Sequence, residues 1–216
     1  MLTLRPLRAV LFDWDGTLLD SYSADASAYL QMFSALSIPW GLQELKAHYS
    51  PDWHRVYRAA ALPTERWAEA DLLWRRAYAS ERPMLQPGVQ PLVHALASRF
   101  VVGLVTSGSG WRVRRQLRTF GLDKLFTVQV FGDRAARRKP HPLQLELAMC
   151  RLGVPPAACI YVGDAPEDIQ MARRAGVASV GIIGNSPVPQ RLRASRPDAL
   201  VPSIPALRSL LLSRLR

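Results

Sequence analysis

Short apolar runs rich in β-branched residues alternate with amphipathic helical patterns along most of this chain, and no other feature limits its fold as strongly. Residues 8–13 (RAVLFD), 100–105 (FVVGLV), 127–131 (TVQVF), 159–163 (CIYVG) and 178–183 (ASVGII) each read as a strand covered on both faces. A shorter run at 198–201 (DALV) is a weaker sixth. Helical patterns occupy 89–98, 110–120, 142–152 and 166–175. Ser109 stands at an N-cap position, Pro142 and Pro166 open two of these helices, and Gly121, Gly153 and Gly176 stand where they stop. This alternation predicts an α/β fold, a doubly wound parallel sheet.

Residues 20–84 interrupt the pattern. They hold no convincing strand and read as helices at about 21–36, 41–48, 52–61 and 64–80, separated by Pro39, Pro51 and Pro63. Five of the six tyrosines and four of the six tryptophans fall in this stretch, so it can build an aromatic core of its own. A helical domain inserted after the first strand is the simplest account, returning to the sheet through Pro83 to Gly88. The expected organisation is a core of 1–19 and 85–216 with an inserted cap at 20–84.

An apolar share of 49% against 21% charged residues fits a soluble globular chain. Arg5 and Arg8 break the N-terminal apolar stretch, and no run approaches the roughly 20 residues of a membrane span. Both observations point to a cytoplasmic protein without a membrane partner. Cys150 and Cys159 read as small buried thiols in a helix and at a strand start. The net charge of +11 raises the question of nucleic acid, but the charge is almost all arginine and is scattered. A nucleic-acid partner is therefore disfavoured, whereas an anionic small molecule would feel the same field.

In an open parallel sheet, ligands bind beyond the carboxyl ends of the strands. The polar residues there are Asp13 and Asp15, then Thr106 and Ser107, then Asp164, with Asp168 one helical turn further on the same face. Gly108 follows the hydroxyl pair, which suits anion capture by a hydroxyl and open backbone N–H groups at a helix start. Lys139 lies just before the helix opened by Pro142.

The segments DWDGTLLDS, LVTSGS, RRKPHP and VGDAPEDIQMARRAG, in that order, resemble the four signature motifs of the haloacid dehalogenase superfamily. The resemblance covers nearly the whole chain, and residues 20–84 match the small helical cap of its phosphoglycolate phosphatase-like branch, which also holds β-phosphoglucomutase. It implies a phosphoric monoester hydrolase that acts on a small phosphorylated metabolite with Mg²⁺. Asp13 would be the nucleophile, forming an aspartyl-phosphate. Asp15 would protonate the leaving alkoxide and then activate water, with a raised pKa, while Lys139 and the cation keep Asp13 anionic. Asp13, Asp164 and the backbone carbonyl of Asp15 would ligate Mg²⁺, and Asp168 would bind it through water or orient Lys139. Thr106, Ser107, Gly108 and Lys139 would bind the phosphate.

Specificity in this branch comes from the cap. His48, Trp53, His54, Arg55 and Arg58 are the polar or aromatic candidates there, each more simply read as bundle packing or solvated surface. Arg112, Arg114, Arg115 and Arg118 spread over several faces of one helix and read as solvent exposed. The substrate and the choice between monomer and dimer stay open. A phosphomutase shares the same motifs, and a non-catalytic binder of anions or nucleic acid is opposed by the intact set of Asp13, Asp15, Thr106, Lys139 and Asp164. Dehalogenation is disfavoured, since a metal-free displacement needs neither Asp15 nor an Asp164 site.

Overall fold

The computed structural model describes residues 7–213. Residues 1–6, with Arg5, and 214–216 lie outside the described residues. Six strands form one parallel sheet: β1 (Ala9–Phe12), β4 (Val101–Thr106), β5 (Val128–Phe131), β6 (Cys159–Gly163), β7 (Ala178–Ile182) and β8 (Ala199–Val201). Their order is β5-β4-β1-β6-β7-β8, so β1 lies between β4 and β6 and the chain reverses direction of travel across the sheet there. All six runs singled out in the sequence are strands, and the parallel doubly wound sheet is the observed fold.

Alternation along each strand divides the core in two. Val10 and Phe12 point to one face, with Leu92 and Leu96 of α5 (Val89–Ala97), Leu117 of α6 (Gly110–Thr119) and Leu207 of α10 (Ile204–Ser213). Ala9 and Leu11 point to the other, with Leu145 of α7 (Leu143–Leu152) and Met171 of α8 (Pro166–Arg174). Each such fully buried aliphatic side chain contributes roughly 1.5–3 kcal/mol. Ser109 takes the N-cap position of α6 as expected, though its side chain makes no capping bond and the Gly110 N–H donates to Asp133. One expectation about polar details needs correction. Cys159 is buried but Cys150 is exposed, because Leu145, Ala148 and Met149 take the sheet-facing side of α7.

Residues 22–78 carry helices α1 (Tyr22–Ala35), α2 (Leu42–His48), α3 (Trp53–Ala59) and α4 (Trp67–Tyr78). They close around a separate cluster that includes Tyr29, Phe33, Leu45, Val56 and Tyr57. The chain leaves and re-enters the sheet region through a short antiparallel pair, β2 (Leu19–Asp20) with β3 (Met84–Leu85). Contacts tie the helices down onto the sheet edge: Ser50 donates to Glu167 at 2.9 Å, and Arg191 donates to the Tyr49 carbonyl at 2.9 Å. Among the described residues, no helix is long and apolar enough to cross a membrane. α9 (Pro189–Ala194) and α10 are additional to the helices read from the sequence.

Candidate active site

The reversal at β1 brings three strand ends together, and each ends in a polar residue. Asp13 follows β1, Thr106 ends β4 and Asp164 follows β6. The Asp13 N–H donates to the Val162 carbonyl of the neighbouring strand, which holds the carboxylate in place at the sheet edge. Lys139 reaches this point from the loop before α7 and is fully buried. Its Nζ donates to Asp13 Oδ1 at 2.8 Å and to Asp168 Oδ1 at 2.8 Å. Asp168 Oδ2 accepts from the Ala165 N–H at the start of α8, and Oδ1 shares the single Tyr161 hydroxyl proton, at 3.2 Å, with the Val105 carbonyl at 2.8 Å. These bonds fix the carboxylate that orients Lys139 and leave lone pairs on it.

Asp164 accepts from the Thr17 hydroxyl at 2.8 Å. Gly16 allows this approach, because its φ is +77° and a Cβ there would stand 2.4 Å from Asp164 Oδ2. Oxygens of Asp13, Asp164 and Asp168 lie within 4.8 Å of one another. Three buried carboxylates thus share one buried ammonium, and the energetics register the imbalance. Burial pushes Asp13 up to about 7, with Asp168 and Asp15 adding to it, against the opposing pull of Lys139. Burial and then Asp168 and Asp13 hold Asp164 well above the ordinary aspartate range. For Lys139, burial alone would favour the neutral amine, but Asp13 and Asp168 outweigh it and raise the value. An all-oxygen, doubly anionic surplus of this kind fits a hard divalent cation.

Thr106, Ser107 and Gly108 turn from β4 toward α6. The Thr106 Oγ1 accepts from the Gly108 N–H at 3.0 Å, and the Ser107 hydroxyl is buried with no partner among the described residues. A buried donor without a partner among the described residues, on a residue that lines the same cavity as Asp13 and Asp164, suits an incoming anion.

Asp15 sits on the loop above Asp13, and its partner overturns a sequence expectation. Arg112 is not a surface residue. It is buried and grips Asp15 with two parallel bonds, Nη1 to Oδ1 at 2.8 Å and Nη2 to Oδ2 at 2.6 Å. The first turn of α6 aims this side chain back toward the carboxyl end of β4, and side chains on a helix lean that way. Arg114, Arg115 and Arg118 are exposed as expected.

A family model described as haloacid dehalogenase-like hydrolase matches residues 10–182. The chain belongs to that family. Among curated relatives, the phosphoglycolate phosphatase of Xylella fastidiosa is 37% identical, covering 80% of this chain and 79% of that protein. The phosphoglycolate phosphatase of Salmonella paratyphi A is 32% identical over 94% of each chain. The fold also superposes on the crystal structure of CbbY from Rhodobacter sphaeroides in complex with phosphate, with a TM-score of 0.79, 23% identity, and 93% and 96% of the two chains covered.

In this dehalogenase-like hydrolase the cavity continues from the strand ends up to the helical layer, where Asp25, Tyr29, Trp53, Tyr57, Trp74 and Tyr78 line it. Of the candidates named in those helices, only Trp53 lines the cavity. Its ring lies under the Arg138 guanidinium, 3.5 Å from the centroid. His48 stacks on Trp40 and His54 on Trp67, while Arg55 and Arg58 lie largely in solvent near Asp52. Thr17 and Asp25 are not among the sequence candidates for this region, and Arg112, read from the sequence as solvent exposed, belongs to it. Asp25 accepts from the Tyr49 hydroxyl at 2.9 Å and from Trp74 Nε1 at 3.1 Å, and so joins α1 to α4.

Proposed function

We propose that this enzyme is a Mg²⁺-dependent phosphatase that hydrolyses 2-phosphoglycolate, or a closely related small phosphate monoester, through an aspartyl-phosphate on Asp13. The observation that carries the reading is the buried set of Asp13, Lys139, Asp168 and Asp164, gathered at the carboxyl ends of the central strands, in a cavity that Ser107 also lines. The named activity of relatives matched over 94% and 79% of their own length supports the substrate.

In this reading Asp13, Asp164 and the Asp15 carbonyl hold Mg²⁺, with Asp168 serving through Lys139 rather than as a direct ligand. The cation, when bound, neutralises charge on the phosphate and on the carboxylates around it. Thr106, Ser107 and the Gly108 backbone receive the phosphate oxygens, and the Lys139 ammonium supplies fixed positive charge next to the nucleophile. An oxygen of Asp13 attacks phosphorus and the ester P–O bond breaks, while Asp15, protonated on an oxygen released from Arg112, gives that proton to the departing alkoxide. Asp15 then takes a proton from the water that cleaves the acyl phosphate, which restores Asp13. Residues 20–84 act as the cap, and the Ser50–Glu167 contact is where it meets the core.

The test is phosphate release from 2-phosphoglycolate with and without Mg²⁺, in the wild-type enzyme and in Asp13→Asn. The expected result is metal-dependent release that disappears in a folded Asp13→Asn protein. Full activity in that variant would overturn the assignment of Asp13.

A further inference from the structure

Arg112 only releases Asp15 in the reactions above, yet the site is built around it. Its side chain is 6% exposed, and its guanidinium lies 5.0 Å from the Tyr78 ring centroid and 6.0 Å from that of Trp74, both on α4. The end edge, Nη1 with Nη2, is spent on Asp15. The remaining Nη1 hydrogen faces Gln116 Oε1 at 3.2 Å and the Tyr78 hydroxyl at 3.4 Å. The side edge is different. Nε is buried without a partner among the described residues, and the only bond from Nη2 goes to Asp15.

A guanidinium presents five donors, and leaving the Nε edge unpaired in a buried position carries a desolvation cost that an arriving acceptor would remove. That edge has the two parallel N–H groups that match a carboxylate. Its position is also telling. A Cβ on Gly108 would stand 2.6 Å from Arg112 Nη2 and 3.0 Å from Asp15 Oδ2, so the guanidinium, the acid and the phosphate loop meet at one point. Arg112 lines the cavity, and Asp25 in its roof is already satisfied by Tyr49 and Trp74.

We propose that Arg112 works with both edges: the end edge positions Asp15, and the side edge receives a second anionic group on the leaving group of the substrate. The inference rests on the phosphatase reading. A short leaving group held by its carboxylate on Arg112 has its ester oxygen beside the same guanidinium that aims Asp15. One residue thereby couples recognition of the leaving group to the placement of Asp15, which releases one oxygen from the guanidinium to carry the proton it gives. It acts on specificity through direct contact and on catalysis through Asp15.

The experiment compares 2-phosphoglycolate with p-nitrophenyl phosphate, which lacks a carboxylate, in wild type, Arg112→Met and Arg112→Lys. Losing a charged, two-bond contact should raise KM for 2-phosphoglycolate by about 10- to 100-fold. KM for p-nitrophenyl phosphate should stay within about twofold, while kcat falls for both esters as Asp15 loses its support. Arg112→Lys keeps a charge beside Asp15 and covers the case in which Arg112→Met does not fold. It should recover kcat more than it recovers KM for the carboxylate ester, since an ammonium cannot offer two parallel donors. Equal KM changes for the two esters, or an unchanged KM for 2-phosphoglycolate, would overturn the role of Arg112 while Asp13-dependent phosphate release still upholds the phosphatase reading. Absence of Asp13-dependent release from either ester would overturn both.

Discussion

Asp25 offers a prediction that can be worked from the structure in some detail. The carboxylate lies between α1 and α4 at the roof of the cavity, with Tyr49 and Trp74 donating to it. Burial, and then the charge of Asp15, push it from 3.8 up to about 7, against opposing contributions from Tyr49, Arg112 and Trp74. Because the folded value lies above the unfolded one, the native state binds more protons between these limits. Stability therefore falls as the pH rises through that window, and the penalty is complete above about 7. The full difference corresponds to about 4 kcal/mol. Asp25 is only partly buried, and solvent screening reduces this to on the order of 2 kcal/mol. Asp25→Asn removes the titration and keeps an acceptor for Trp74, while the Tyr49 hydroxyl can turn to accept from the amide. Urea unfolding of the two proteins at a series of pH values measures the difference. The variant should match wild type near pH ~4 and exceed it by on the order of 2 kcal/mol near pH ~8. Parallel stability curves, or a variant weaker than wild type at the higher pH, would refute the reasoning.

Other substitutions test the buried cluster. Lys139→Met strands Asp13 and Asp168 without their shared cation and should cost about 3–5 kcal/mol at neutral pH in metal-free protein, read from urea unfolding. An unchanged midpoint would contradict the coupling. Gly16→Ala forces a side chain toward Asp164 at a left-handed position, and should weaken Mg²⁺ binding about tenfold or more in a titration followed by tryptophan fluorescence. Wild-type metal affinity in that variant would show that Asp164 is not a ligand.

Much of this fold can be read from the chain because its strands are continuous β-branched runs and its helices carry plain stop signals, as at Gly153 and Gly176. The two-residue strands β2 and β3 leave no periodicity to detect, and they exist because the two crossings of the chain meet in space. Asp13, Thr106, Lys139, Asp164 and Asp168 could be located as candidates because strand ends and short motifs mark them. Arg112 was hidden by company: three exposed arginines share its helix, and only its place in the first turn after β4, beside buried Val113, sets it apart. Asp25 carried a similar faint mark, a polar residue aligned with Tyr29 and Met32 on the apolar face of α1. Cys150 failed in the opposite direction, since helix phase and not residue type sent it to solvent. In each case the missing information was which face of a helix meets which partner, and only the tertiary structure supplies that.

The central claim is that Asp13 is the residue to which phosphate becomes attached. Rapid acid quenching of the enzyme during turnover of radiolabelled 2-phosphoglycolate with Mg²⁺, followed by peptide mapping, tests it directly. The account predicts label on the peptide that carries Asp13 and none in Asp13→Asn. Label on another residue, or continued turnover with no labelled protein at any quench time, would contradict it.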